Sequence, residues 1–125
     1  MKVLIRNPII FTLLFIAICY SGNAQGNETG LASFYSDAFE GKKTASGEIY
    51  KSSKMTAAHR TLPFGTRVKV TNLSNNKSVT VTVNDRGPFV KDRIIDLSKA
   101  AAVKLDYIDQ GVTKVKIEPI KKPKK

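Results

Sequence analysis

Cysteine occurs once in this 125-residue chain, and histidine once. An intramolecular disulfide is impossible, and so is a structural zinc site built from cysteine and histidine. Acids are scarce as well: ten Asp and Glu stand against 21 Lys and Arg, a formal net charge of +11. Extended apolar sequence is confined to Ile9–Cys19, which is too short to span a bilayer comfortably. What remains is an ordinary globular balance of 42% apolar, 8% aromatic and 25% charged residues. Disorder, collagen and coiled coil are thereby excluded as the main architecture, and the length allows one small domain.

The apolar run follows a basic start, Lys2 and Arg6, and gives way to the small residues Gly22-Asn23-Ala24. Basic start, short apolar centre and small-residue exit form, in that order, a secretory signal peptide cut before Gln25. Lipid attachment at Cys19 is the weaker reading, because the bulky Ile18 precedes it. The expected division is a leader over 1–24, one domain over 25–120 and a basic, disordered tail over 121–125, where Lys121, Lys122, Lys124 and Lys125 cluster. The protein is expected to be exported, to a periplasm or the extracellular space, and to be a monomer. Nucleic acid is then not an expected partner. The positive surface suits anionic envelope polymers, although solubility accounts for it equally well.

Within the domain the pattern is mostly β. Thr66–Leu73 and Ser78–Val83 alternate apolar with polar residues, and Ser74-Asn75-Asn76-Lys77 between them has turn chemistry, since Asn tolerates positive φ. Gly30–Ser36, Arg93–Leu97 and Val112–Glu118 are further expected strands. Lys99–Leu105 is expected as a helix capped by Ser98. Five or six short strands with one or two short helices point to a compact barrel. No internal repeat or interdomain linker is visible.

Two irregular stretches carry acids: Thr44-Ala45-Ser46-Gly47-Glu48 and Asn84-Asp85-Arg86-Gly87-Pro88-Phe89. Asp85 follows Val79, Val81 and Val83, so a period of two turns it to the barrel side. An acid there is either hydrogen-bonded at the barrel mouth or chemically useful, whereas Glu48 alone reads as a solvated turn residue. His59, the single histidine, suits a hydrogen-bonded structural role better than catalysis. Arg60 and Arg86 are either surface charges or partners for a carboxylate or an anionic ligand group. Tyr35, Phe39 and Tyr50 are either core or the lining of a groove, where a tyrosine would stack on a sugar.

Together these segments resemble the catalytic double-psi β-barrel domain of the rare lipoprotein A family, the septal-ring type of lytic transglycosylase. The likeness rests on Gly30–Tyr35, Thr44–Glu48, Thr56–Thr66, Val70–Asn72, Val83–Phe89 and Arg93–Ser98, in family order over about residues 30 to 118. It implies a mainly β fold, a six-stranded double-psi barrel. It implies a lyase that breaks the bond between N-acetylmuramic acid and N-acetylglucosamine in peptidoglycan glycan strands and leaves a 1,6-anhydro sugar. The family's active pair falls on Asp85 and Glu48, and His59 on a family polar position beside the groove; these three are the expected catalytic residues, with Tyr35, Ser46, Arg60, Asn84 and Arg86 expected to bind substrate. Neither metal nor cofactor is implied. Asp85, ending a buried strand, is expected to be the acid that then serves as base, with Glu48 assisting. Many members carry a C-terminal peptidoglycan-binding domain, for which no sequence is present here. The competing expectation is a non-catalytic polysaccharide-binding barrel of the expansin type, implied at the level of fold alone.

Overall fold

A computed structural model describes residues 26–121. The leader and Cys19 lie outside the described residues, as does the tail beyond Lys121. Six strands, β1 (Glu28–Phe34), β2 (Thr56–Ala58), β3 (Arg67–Asn72), β4 (Ser78–Asp85), β5 (Arg93–Leu97) and β6 (Thr113–Pro119), and one helix, α1 (Lys99–Leu105), make up the domain, with a single 3-10 turn at Asp37–Phe39. The strands close into a barrel in the order β1-β5-β2-β4-β3-β6. The mainly β, six-stranded expectation is met.

Each strand follows from its residues. Val68 and Val70 of β3, Val81 and Val83 of β4, Ile95 and Leu97 of β5, and Val115 and Ile117 of β6 are all at most 1% exposed and fill the interior. They stand two apart because successive side chains of a strand face opposite sides. Burying each contributes about 1.5–3 kcal/mol relative to exposure. The β3–β4 hairpin turns where expected, with Asn76 at φ 66°. Gly30 is required in β1, since a Cβ there would stand 2.7 Å from Ile94 Cγ2. Helix α1 begins at Ser98, whose Oγ accepts the Ala101 N–H, and ends at Asp106 in the left-handed region. Its face of Ala101, Ala102 and Leu105 is buried against the barrel. β2 has no strand signal in sequence: three residues, two of them alanine, carry no alternation.

The pairing has a symmetry that the sequence does not display. β1–β5 and β2–β4 are parallel, while β1–β6, β2–β5, β3–β4 and β3–β6 are antiparallel. Exchanging the first three strands with the last three maps every pair onto a pair of the same sense. No repeat in sequence accompanies it, because backbone pairing specifies register and sense without requiring the same side chains.

One pairing row positions the site. Ser33 lies opposite Asp96, Asp96 opposite Ala58, and Ala58 opposite Asp85. The row crosses β1, β5, β2 and β4, and brings the end of β4 to the residues that follow β1.

Candidate active site

The two acid-bearing loops meet directly. The segment 44–48 is closed at its base by a bridge between Lys43 and Ile49. Within it, the Thr44 N–H and Oγ1 both donate to the Glu48 carbonyl at 2.8 Å, and Gly47 supplies the positive φ (96°) that the turn needs. Ser46 Oγ accepts the Glu48 N–H at 3.3 Å and shares a hydrogen bond with Thr44 Oγ1. The loop is thus held by its own Thr and Ser before it touches the barrel. It then docks on β4: the Ser46 N–H donates to the Asn84 carbonyl at 3.3 Å, and Asn84 Nδ2 donates to Glu48 Oε1 at 3.0 Å.

At Asn84 the alternation of β4 breaks. Ala57 pairs with Val83 and Ala58 with Asp85, so Asn84 is an extra residue on β4. Both Val83 and Asn84 are buried, at 0% and 5% exposure, and Asp85 emerges half-buried at the rim. The period-two expectation for Asp85 stops one residue short of it, at the bulge. The carboxyl is well partnered. Oδ1 accepts the N–H groups of Ala45 (2.8 Å) and Arg86 (2.9 Å), and Oδ2 accepts the Tyr35 hydroxyl at 2.5 Å. A carboxylate offers about four lone-pair positions. Three are taken, and the one left open is on Oδ2.

Tyr35 stands among aromatics. Its ring stacks on Tyr50 at 4.4 Å between centroids, and Phe39 meets it edge-on at 5.5 Å. Tyr50 is core, at 2% exposure, and Phe39 is 48% exposed. Burial, then the Asp85 hydrogen bond, pushes the Tyr35 phenol far above its ordinary pKa. Burial also raises Tyr107 and Tyr50, the latter against the Lys99 N–H that its hydroxyl accepts. In an unfolded chain these phenols ionise near pH 10. The folded state binds their protons more tightly, so this contribution to stability is complete below about pH 10 and is lost as pH rises beyond it. Alkaline titration is expected to release phenolate from Tyr35 and Tyr107 only together with the loss of far-ultraviolet circular dichroism. Phenolate absorbance from either of them at pH 10 in an intact fold would contradict this.

His59 and the two arginines hold backbone. His59 Nδ1 accepts the N–H groups of Thr61 and Leu62, both at 3.1 Å, so its ring proton sits on Nε2, which faces Glu28 Oε1 at 2.8 Å. The His59 N–H donates to the Asp85 carbonyl at 3.1 Å. Arg86 donates to the carbonyls of His59 and Leu62, and its guanidinium lies 4.1 Å from the Phe64 ring centre. Arg60 donates to the carbonyls of Pro88, Val90 and Arg93. Neither arginine forms an ion pair among the described residues. They brace the chain after Asp85, and His59 ties that brace to β1.

A family profile described as lytic transglycolase matches residues 27–117, the span that holds both loops and all six strands almost in full. The chain belongs to the lytic transglycolase family. It is 58% identical over 91 residues to a Campylobacter jejuni protein named endolytic peptidoglycan transglycosylase RlpA, covering 73% of this chain and 33% of that one. A Neisseria meningitidis protein of the same name is 56% identical over 97 residues, covering 78% of this chain and 41% of that one. The chain therefore spans about a third of the length of the first of these relatives and two fifths of the second. Among solved structures, Streptomyces papain inhibitor superposes with a TM-score of 0.62 at 28% identity, covering 76% of this chain and 94% of that one. The apo expansin of Clavibacter michiganensis superposes at 0.61 and 21% identity, covering 79% and 52%, a likeness of fold. The barrel is a double-psi β-barrel.

The barrel has a shallow hollow of about 280 Å³ beside Glu48, lined also by Ile49, Lys51, Lys54, Thr56 and Asn84. Glu48 is exposed along it, while Asn84 forms its inner wall. Among the described residues, no three His, Cys, Asp or Glu side chains converge as a metal site would require. Two features of the site have no local sequence signal. Glu28 reaches His59 from 31 positions away, and Tyr50 underlies Tyr35 from across the 44–48 loop.

Proposed function

We propose that this domain cleaves peptidoglycan glycan strands without water, leaving 1,6-anhydro-N-acetylmuramic acid ends, and that it does so outside the cytoplasm. One observation carries the reading. The loop bearing Glu48 is hydrogen-bonded to the strand end bearing Asp85, through Ala45 to Asp85 Oδ1 and through Asn84 to Glu48 Oε1. Two carboxyls are thereby held at one rim, one available for the proton steps and one for the charge that develops at C1. The names of the relatives support the choice of substrate.

Asp85 is suited to the proton steps. Its single open position, on Oδ2, carries a proton to the leaving glycosidic oxygen as the C1–O bond breaks. The C6 hydroxyl of the muramic acid then bonds to C1, and its proton returns to the same carboxylate. No water is consumed and no atom is left over. Glu48, exposed along the hollow, stabilises the positive charge that develops at C1. His59, with Nδ1 occupied by two N–H donors and Nε2 on Glu28, supports Asp85 through the backbone.

Purified sacculi incubated with the protein are expected to release muropeptides 18 Da lighter than their hydrated counterparts, the mass of one water, detected by mass spectrometry. Reducing ends without anhydro sugars would mean hydrolysis. Intact sacculi with protein bound to them would favour the polysaccharide-binding barrel.

A further inference from the structure

We propose that Tyr35 is a positioning residue for Asp85, keeping the carboxyl in one orientation before and after it gives up its proton, and not a platform for a sugar ring. The inference rests on the reading of Asp85 given above and extends it.

The ring is already engaged. Tyr50 covers one face at 4.4 Å, and Phe39 stands at right angles to it at 5.5 Å. The hydroxyl is committed to Asp85 Oδ2. On the other oxygen, Oδ1, two backbone N–H groups act as donors in every protonation state, so that oxygen cannot also carry a proton. Proton exchange is therefore restricted to Oδ2, the oxygen that Tyr35 touches. With Asp85 ionised, Tyr35 donates to Oδ2. With Asp85 protonated at its open position, Oδ2 keeps a lone pair toward the phenol, which goes on donating, so the contact survives the cycle and the carboxyl does not swing away between its two tasks.

The surroundings keep the phenol intact. The titratable groups near its hydroxyl are Asp85, Asp96 and Tyr50. Asp96 is engaged by Ser33 Oγ and Arg93, and Tyr50 by the Lys99 N–H. Burial and the neighbouring carboxylates hold Tyr35 in its neutral form through the physiological range.

The test is the full chain with Tyr35→Phe, assayed on soluble glycan strands beside the unaltered protein and Asp85→Asn. For Tyr35→Phe, kcat is expected to fall about 10- to 100-fold with KM within about twofold, the effect of losing one hydrogen bond to a charged group. The pH at which kcat changes with Asp85 titration is expected to move upward, because the charged form loses a donor. Replacing Tyr35 with 3-fluorotyrosine preserves ring and hydroxyl and strengthens the donor, so that limb moves downward in a protein whose packing is unchanged. A raised KM with kcat intact would make Tyr35 a sugar contact and overturn the inference. So would a lower kcat with the limb unmoved in both variants, which is the mark of a purely structural role. Activity lost in Asp85→Asn but unaltered in Tyr35→Phe would overturn the inference alone. Full activity in Asp85→Asn would bring down the reading of the site and this inference with it.

Discussion

Asp85→Asn is expected to lower the release of anhydro-muropeptides from sacculi about 10³-fold while leaving the fold and thermal stability close to those of the unaltered protein. The side chain is nearly isosteric. Its Oδ1 still accepts the N–H groups of Ala45 and Arg86, and its amide nitrogen can donate to the Tyr35 hydroxyl in place of accepting from it. What is lost is the ability to exchange a proton at the open position, and general acid–base catalysis contributes on the order of 10²–10⁴ in rate. Glu48→Gln keeps the Asn84 contact and an exposed polar group beside the hollow, so a smaller loss is expected. The comparison decides the roles. If Asp85→Asn retained most of the cleavage while Glu48→Gln abolished it, the acid and the assistant would have to be exchanged.

Asn72→Ala is expected to cost about 3 kcal/mol of stability, and to lower the melting temperature on the order of 10–20 °C, without altering the chemistry at Asp85. Asn72 ends β3 at 1% exposure. Its Nδ2 donates to the Leu105 carbonyl at the end of α1, at 2.8 Å, and its Oδ1 accepts the Ser74 N–H and the Thr113 hydroxyl. One side chain thus ties the helix end, the hairpin turn and the start of β6 together. Truncation leaves the Ser74 N–H without this partner. Thr113 keeps only a long 3.3 Å contact to Ser74, and the Leu105 carbonyl retains Asn75. The cost arises mainly from buried polar groups left without a bond rather than from lost packing. Chemical denaturation with an unchanged slope and a lower midpoint would show it. A change under 1 kcal/mol would mean that water replaces the amide.

Much of this molecule could be read before any coordinates, and the limits of that reading have physical causes. The β3–β4 hairpin announces itself because alternation and turn chemistry are local. Helix α1 does so because Ser98 is a strong N-cap ahead of a run of alanines. β2 carries no such signal: its place is set by neighbours on both sides, β4 and β5. The bulge at Asn84 is equally hidden, since an extra residue in one strand is defined only by the partner it fails to meet. Among the site positions, Asp85 could be singled out from its place in the strand pattern, and Glu48 and Asn84 only through the family resemblance. The commitments of Tyr35, Arg60 and Arg86 could not, because each depends on a partner 24 to 50 residues away in the chain. Arg60 and Arg86 present charge in sequence, and in the fold they serve carbonyl oxygens.

The first and last strands lie side by side and antiparallel, with Glu28 opposite Ile117. The chain therefore enters and leaves the barrel at adjacent points of one seam. A force applied between those points would load the hydrogen bonds of that seam one after another, as a zipper opens, and not all at once in shear. Under tension the barrel would part first between β1 and β6. That would draw Glu28 away from His59 before the strand carrying Asp85 felt the pull.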